Sequence, residues 1–368
     1  MKRFILLVIS LLLVFTAAAC SESDGKTETA TGPDPIVAPE TATETESQPE
    51  PEPEAEPEPE AYTGPYSALT GLPTDNDLSV RRPFAFMLNN LKKALPQAGI
   101  GSADLIYEAV VEGGITRIMA VYEDVPDIAE IGSVRSSRHY FLDMAQGLDA
   151  IYIHAGGSNY AYAAIKSRGI TNIDGVNGSD YIFYRNASRR KTAGYEHSLM
   201  ALPSKIPEYV EMKKLRTEHK DGYECNMVFT DEPQPDGESA ESVTVKFSST
   251  KNTSFEYDSE NQVYLASQNG SKYVDALDGE QVSVKNIVIV YAEVYQIAGD
   301  TAGRMDTILT GSGKGYFACE GKYVPITWSK DTYSSQFVFK LKDGTTLNFG
   351  RGVSYFGIVA DGNTVTFK

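Results

Sequence analysis

Residues 104–123 read DLIYEAVVEGGITRIMAVYE, two apolar runs separated by Glu112, Gly113 and Gly114. Short runs rich in Val, Ile, Tyr and Ala, bounded by glycine, are strand signals. A Gly-Gly pair supplies the positive φ that a tight hairpin needs. The spacing predicts strands over Asp104–Glu112 and Ile115–Glu123 joined across Gly113-Gly114. Val110 then faces Arg117, and Glu112 faces Ile115. One sheet face would carry Ile106, Glu108, Val110, Glu112, Arg117 and Met119, and the other Tyr107, Ala109, Val111, Thr116 and Ile118. Both faces are largely apolar, so the hairpin belongs inside a sheet, with Arg117 flanked diagonally by Glu108 and Glu112. Charges in such a place must neutralise one another or meet a ligand, because an unpaired buried charge is strongly unfavourable.

Working outward, Pro83–Leu88 and Asp149–His154 read as further strands. Ser137–Gln146, Ser158–Arg168 and Ser204–Arg216 read as helices, each opened by a Ser able to cap it, with Gly169 ending the second. This mixture predicts an α/β (or α+β) N-terminal domain over 63–217. Residues 218–242 are polar, contain Asp231-Glu232-Pro233-Gln234-Pro235-Asp236-Gly237, and read as a connection. Residues 243–368 alternate apolar and polar positions between turn signals, which predicts an antiparallel all-β C-terminal domain. Within it, Gly311-Ser312-Gly313-Lys314-Gly315 is no phosphate loop, since Ile308 stands where the first Gly is required and Gly315 replaces the Ser/Thr.

Three stretches of the α/β half carry candidate chemistry. The first is Glu108, Glu112 and Arg117. The second is Gly132-Ser133-Val134-Arg135-Ser136-Ser137-Arg138, which precedes a helix, so that an anion there would satisfy the helix amides together with Arg135 and Arg138. The third is His154-Ala155-Gly156-Gly157-Ser158, where strand, Gly-rich turn and helix start in succession have the geometry of an anion cradle at Gly156, Gly157 and Ser158. His154 is a candidate acid or base, as is Glu108; the bland alternatives are a structural strand-end histidine and an internal ion-pair cluster. His197, which follows Arg185, Arg189 and Arg190, is a further candidate ligand residue, while Arg189-Arg190-Lys191 reads as a solvated run. Of thirteen arginines, ten lie between Arg81 and Arg216, so the α/β half is the expected ligand-bearing half. No Gly-x-Ser-x-Gly elbow, Cys-x-x-Cys or His-Glu-x-x-His spacing is present, and neither a metal nor a cofactor is expected.

The 368 residues carry a formal net charge of −17, which argues against nucleic acid as a partner. Residues 21–60 hold eight Pro and thirteen Asp+Glu against the single Lys26, a composition that stays extended as a tether. The tether therefore accounts for −12 of the charge and 61–368 for −7. Before it, Lys2 and Arg3, an apolar run from Phe4 to Phe15 and Thr16-Ala17-Ala18-Ala19-Cys20 read as a lipoprotein signal over 1–19. Acyl chains such as palmitate on Cys20 would then be the membrane anchor, followed by the tether to residue 62. Cys225 and Cys319 are left as either a disulfide or two thiols.

Several motifs in order, Leu69-Thr70-Gly71-Leu72-Pro73, Arg82-Pro83 with Asn89-Asn90, Tyr107-Glu108-Ala109, Glu112-Gly113-Gly114-Ile115-Thr116-Arg117, Ile131–Arg138 and His154–Ser158, resemble the YerB-like family of bacterial lipoproteins. The resemblance implies an anchored protein on the outer face of the cell membrane built from two domains of unknown function. His139 stands where the family motif carries Pro. A looser similarity is to LytR–CpsA–Psr phosphotransferases, whose arginines hold a lipid-linked pyrophosphate. The leading expectation is a non-enzymatic envelope lipoprotein that binds an anionic cell-wall or lipid-linked ligand, or an envelope protein partner, through Arg117, Arg135 and Arg138. The alternative is an envelope enzyme acting on a phosphate-linked or glycan substrate.

Overall fold

The hairpin over 104–123 sits near the centre of a twelve-stranded sheet that draws strands from both halves of the chain. The computed structural model describes residues 62–125, 127–178, 180–233 and 237–368. The lipoprotein signal expected over 1–19, Cys20 and the tether expected over 21–60 lie outside the described residues. Among the described residues, no helix is long and apolar enough to cross a membrane.

In chain order the main strands are β1 (Phe84–Asn89), β2 (Leu105–Val110), β3 (Thr116–Tyr122), β4 (Ile151–His154), β5 (Asn172–Asp174), β6 (Ser242–Lys246), β7 (Asn252–Asp258), β8 (Val263–Gln268), β9 (Asn286–Gln296), β10 (Gly311–Cys319), β11 (Lys322–Lys330), β12 (Ser354–Ala360) and β13 (Val365–Phe367). The helices are α1 (His139–Gly147), α2 (Asn159–Arg168), α3 (Ala187–Thr192) and α4 (Ile206–Met212). The large sheet runs β11-β10-β9-β12-β2-β3-β1-β4-β5. Its hinge between the halves is β12, which pairs in parallel with β2 on one side and β9 on the other. The C-terminal half is thus antiparallel through β6–β7–β8 and β9–β10–β11 but not at β12. Its β-rich character follows from the alternating pattern; the parallel pairings join segments far apart in sequence, which no local turn signal announces. Residues from 62 onward pack as one compact unit.

Both faces of this sheet are covered, as continuous apolar strands require. Helices α1 and α2 lie on one face, where Tyr140, Phe141, Leu142 and Ala161 bury against Met87, Tyr107, Met119 and Tyr152. A second sheet, β8-β7-β6-β13, packs on the other face, with Val243, Val245, Phe255 and Ala266 against Ile106, Ile118, Ile289 and Tyr355. Ser158 caps α2 as the sequence suggests, its Oγ accepting from Ala161 N at 3.1 Å, and Gly169 closes that helix at φ 63°. Helix α1 instead starts after Arg138 with no side-chain cap, and Ser137 Oγ accepts from the Tyr152 hydroxyl at 3.0 Å.

Candidate functional site at the carboxyl edge of the sheet

The hairpin register differs from the sequence expectation by one residue. Val110 pairs with Thr116 and Ala109 with Arg117, because the connection is the three residues Glu112–Gly114 with both glycines at positive φ. Side chains alternate along a strand, so a one-residue slip moves one strand's set to the opposite face. Arg117 therefore shares the helix-covered face with Ala109, and Glu108 faces the second sheet.

The structure splits the expected carboxylate–arginine cluster accordingly. Glu108 is fully buried and accepts from Asn90 Nδ2 at 2.9 Å, Thr116 Oγ1 at 2.5 Å, Thr253 Oγ1 at 2.8 Å and the Tyr355 hydroxyl at 2.8 Å. Lys251 Nζ stands 3.5 Å away and is itself buried. These partners come from both halves, so Glu108 is a buried tie between them. Burial pulls the Lys251 ammonium below its ordinary pKa, and the Glu108 charge opposes that.

Glu112 remains with the arginines. It accepts from Arg138 Nε at 2.9 Å, from Arg138 Nη2, and from Arg117 Nη2 at 3.1 Å. Burial works against the Glu112 charge, but the Arg138 hydrogen bonds and the two guanidinium charges hold its pKa below the usual value. Arg117 is 4% exposed and its pKa falls to about 10, first through burial and then through the neighbouring Arg138 charge. Its Nη1 donates to Ser136 O at 2.6 Å, while Arg138 Nη1 donates to Ser137 O at 2.8 Å. One carboxylate thus serves two buried arginines.

The remaining motifs do converge, through the main chain. Strands β1, β4 and β5 are parallel, and their carboxyl ends carry Asn89, His154 and Asp174. The segment Gly132–Arg138 threads across that edge. Asn89 N donates to Ser133 O, Arg135 N to Met87 O, Ala155 N to Arg135 O, Ser137 N to Gly156 O and Ser158 N to Ser137 O, all within 2.8–3.2 Å. Carboxyl ends of parallel strands are where ligands of open α/β sheets bind.

At this edge the Gly156 turn is already filled. Gly156 N and Val176 N both donate to Asp174 Oδ1, at 2.8 and 2.9 Å. These bonds hold the Asp174 carboxyl below its usual pKa against the effect of burial. The anion expected at Gly156, Gly157 and Ser158 is therefore one the chain supplies. His154 is fully buried beneath it, with Nδ1 2.8 Å from Gly156 O and Nε2 3.1 Å from Asn172 Oδ1. Both ring nitrogens are engaged, and His154 and Glu108 lie on opposite faces of the sheet.

The open part of the edge belongs to Arg135. A cleft of about 210 Å³ is lined by Arg135, Arg185, Tyr195, Glu196, Val134, Ala155, Val176 and Leu199. Arg135 Nη1 and Nη2 meet Glu196 O at 3.2 Å and Glu196 Oε2 at 3.3 Å, whereas its buried Nε–H has no acceptor. Arg185 stacks over Tyr195, its guanidinium carbon 3.9 Å from the ring centroid. His197 sits behind them with Nδ1 2.7 Å from Asn89 Nδ2. Burial first, and then the Arg135 charge, lower its pKa. Arg185, Tyr195 and Glu196 carry no motif of their own and are not among the residues expected from the sequence to bind a ligand; the arginines at 185, 189 and 190 are the signal that could have found them. Arg189, expected in a solvated run, instead donates to Pro96 O at 2.8 Å and to Ala94 O.

His139 brings its Nε2 to 2.6 Å from Asp306 Oδ1, tying the start of α1 to the C-terminal half. Among the described residues no group of His, Cys, Asp and Glu is arranged to hold a metal ion. Cys225 and Cys319 are both free thiols.

Comparison with known proteins gives a consistent family. Residues 69–216 match the N-terminal domain of the protein family of unknown function DUF3048, and residues 243–356 match its C-terminal domain. YerB of Bacillus subtilis (strain 168), a chain named as a lipoprotein, is 30% identical over 299 residues, covering 80% of this chain and 86% of the relative. The crystal structure of YerB from Bacillus subtilis superposes with a TM-score of 0.71 at 28% identity, covering 82% of this chain and 99% of that one.

Proposed function

The chain belongs to the YerB-like family, DUF3048, and from that premise we propose that it is an acyl-anchored lipoprotein of the outer membrane face whose α/β half binds an anionic group of an envelope ligand. The observation that carries the reading is the Arg135–Arg185 cleft. Two guanidinium groups face one acid, Glu196, and a buried Arg135 N–H lacks an acceptor. Guanidinium groups in such a place suit a phosphate or carboxylate, which both can engage at once. Arg117 and Arg138 take a supporting role: their excess positive charge stands behind the segment that presents Arg135, and Glu112 keeps them in place. The tether over 21–60 would hold the cleft away from the membrane, within reach of phosphate-bearing wall polymer or lipid-linked precursors.

Calorimetry on the full chain with phosphate-bearing wall fragments and with a polyprenyl phosphate in micelles tests the reading and separates the two sources. Arg135→Ala and Arg185→Ala should each weaken binding by at least about tenfold, in line with loss of a charge-assisted contact. Affinity unchanged in both variants, or equal affinity for dephosphorylated fragments, would reject the cleft.

A further inference from the structure

A second cleft, of about 230 Å³, lies on the far side of the sheet edge, where the Asn90–Pro96 segment meets the end of β8 and the turn after it. Its floor is made of polar side chains whose hydrogen-bonding capacity is only half used. Gln268, 4% exposed, receives Lys251 Nζ on Oε1 at 2.5 Å while its Nε2 has no partner. Gln97, fully buried, donates from Nε2 to Asn89 O at 2.8 Å and Asn90 Oδ1 at 3.2 Å while its Oε1 has none. The hydroxyl of Tyr273, 4% exposed, lies against the Gln97 side chain outside good hydrogen-bond geometry, so these two groups answer one another only in part. Gln268 and Tyr273 line the cleft, and Gln97 packs directly behind them.

Buried polar groups are almost always paired, so an open Gln268 Nε2 and a poorly met Tyr273 hydroxyl lining one recess mark a place built for an occupant. The groups are also held rigidly: Gln268 through Lys251 to Glu108, and Gln97 through Asn90 to the same carboxylate. Such a pre-set array loses little freedom on binding. Its requirement is mixed, for an acceptor opposite Gln268 Nε2 and either a donor or an acceptor at the Tyr273 hydroxyl. Hydroxyl groups answer both, since each both donates and accepts. Leu95, Pro96 and Val274 add an apolar wall for a C–H face, and Lys92 and Lys272 stand exposed at the rim.

We infer that this cleft is a sugar-binding site, taking one polyhydroxylated ring whose acidic substituent lies toward Lys92 and Lys272. It is separate from the Arg135 cleft and stands whether or not that cleft binds anions. The two are linked at the end of β1, where Asn89 contacts His197 and Asn90 contacts Glu108, and through Arg189, which donates to Ala94 O and Pro96 O.

The test is saturation-transfer NMR on the full chain with N-acetylmuramic acid, glucuronic acid and neutral N-acetylglucosamine as probes. Wild type should show ring-proton transfer from the acidic sugars, with weaker transfer from the neutral one. Tyr273→Phe and Gln268→Ala should each reduce affinity for the acidic sugars about tenfold, while Lys340→Ala, at an exposed lysine that lines neither cleft, leaves it unchanged. Should either core variant fail to fold, Lys272→Glu at the exposed rim decides the matter by abolishing the preference for acidic sugars. No transfer to any probe would overturn the inference. Transfer that survives Tyr273→Phe and Lys272→Glu would do the same.

Discussion

Replacing Glu112 by Ala removes the carboxylate shared by Arg117 and Arg138, whose side chains are 5% and 8% exposed. Three charge-assisted hydrogen bonds disappear: two from Arg138 and one from Arg117. Each arginine keeps a single bond to a main-chain carbonyl, at Ser136 and Ser137. The charges then remain largely buried without a counter-ion. Removing one partner of a buried pair costs about 3–5 kcal/mol, most of it the penalty on the group left behind. For a folded unit of this size that corresponds to a fall in Tm on the order of 5–10 °C. The pH dependence supplies a second readout. The folded pKa of Glu112 lies below its unfolded value, so its contribution is complete above about pH 4.3 and is lost as pH falls through the folded pKa. Calorimetric melts of wild type and Glu112→Ala should differ at pH 7 and converge on acidification. Melts that coincide at pH 7, or a gap that widens as pH falls, would refute the argument that Glu112 holds the two arginines in place.

Asp104 has its pKa pushed up to about 7, first by burial, although Glu123 N donates to its Oδ2 at 2.7 Å. A raised carboxyl pKa makes the fold lose stability as pH rises from about 4 toward 7, so Asp104→Asn, which keeps an acceptor, should raise Tm at pH 8 and have little effect at pH 4. Melting curves showing the larger gain at pH 4 would contradict this. The Cys319 thiol is buried and pushed up to about 12 by that burial, and Cys225 is raised for the same reason. Iodoacetamide at pH 8 should leave Cys319 unlabelled until denaturant is added, with both thiols reactive in the unfolded chain, as mass spectrometry would read. A Cys225–Cys319 crosslinked peptide from unreduced protein would contradict the free thiols.

Much of this protein is legible residue by residue. The strands around Asn89, Glu108, Arg117 and His154, the helix from Asn159 to Arg168 between Ser158 and Gly169, and the concentration of arginine in the α/β half all follow from local pattern and end signals. The convergence of the 132–138 and 154–158 segments is also foreshadowed, since Gly-rich turns after strands let main chains approach closely. What composition and spacing could not reach is which charge answers which. Glu112 and Asp174 turn inward to satisfy the groups that sequence alone left free for a ligand. Arg135 and Arg185, 50 positions apart along the chain, are left facing the open cleft.

The sequence by itself determined the element types, the acidic composition of residues 21–60 and the inventory of arginines, because these rest on local propensity and composition. Tertiary structure alone decided the hairpin register and the insertion of Ser354–Ala360 beside Leu105–Val110. A strand's apolar alternation has period two and fits either register of a two-sided core. The choice falls to the three-residue turn at Glu112–Gly114 and to the partners waiting on each face: Arg138 for Glu112, and Thr253, Lys251 and Tyr355 for Glu108.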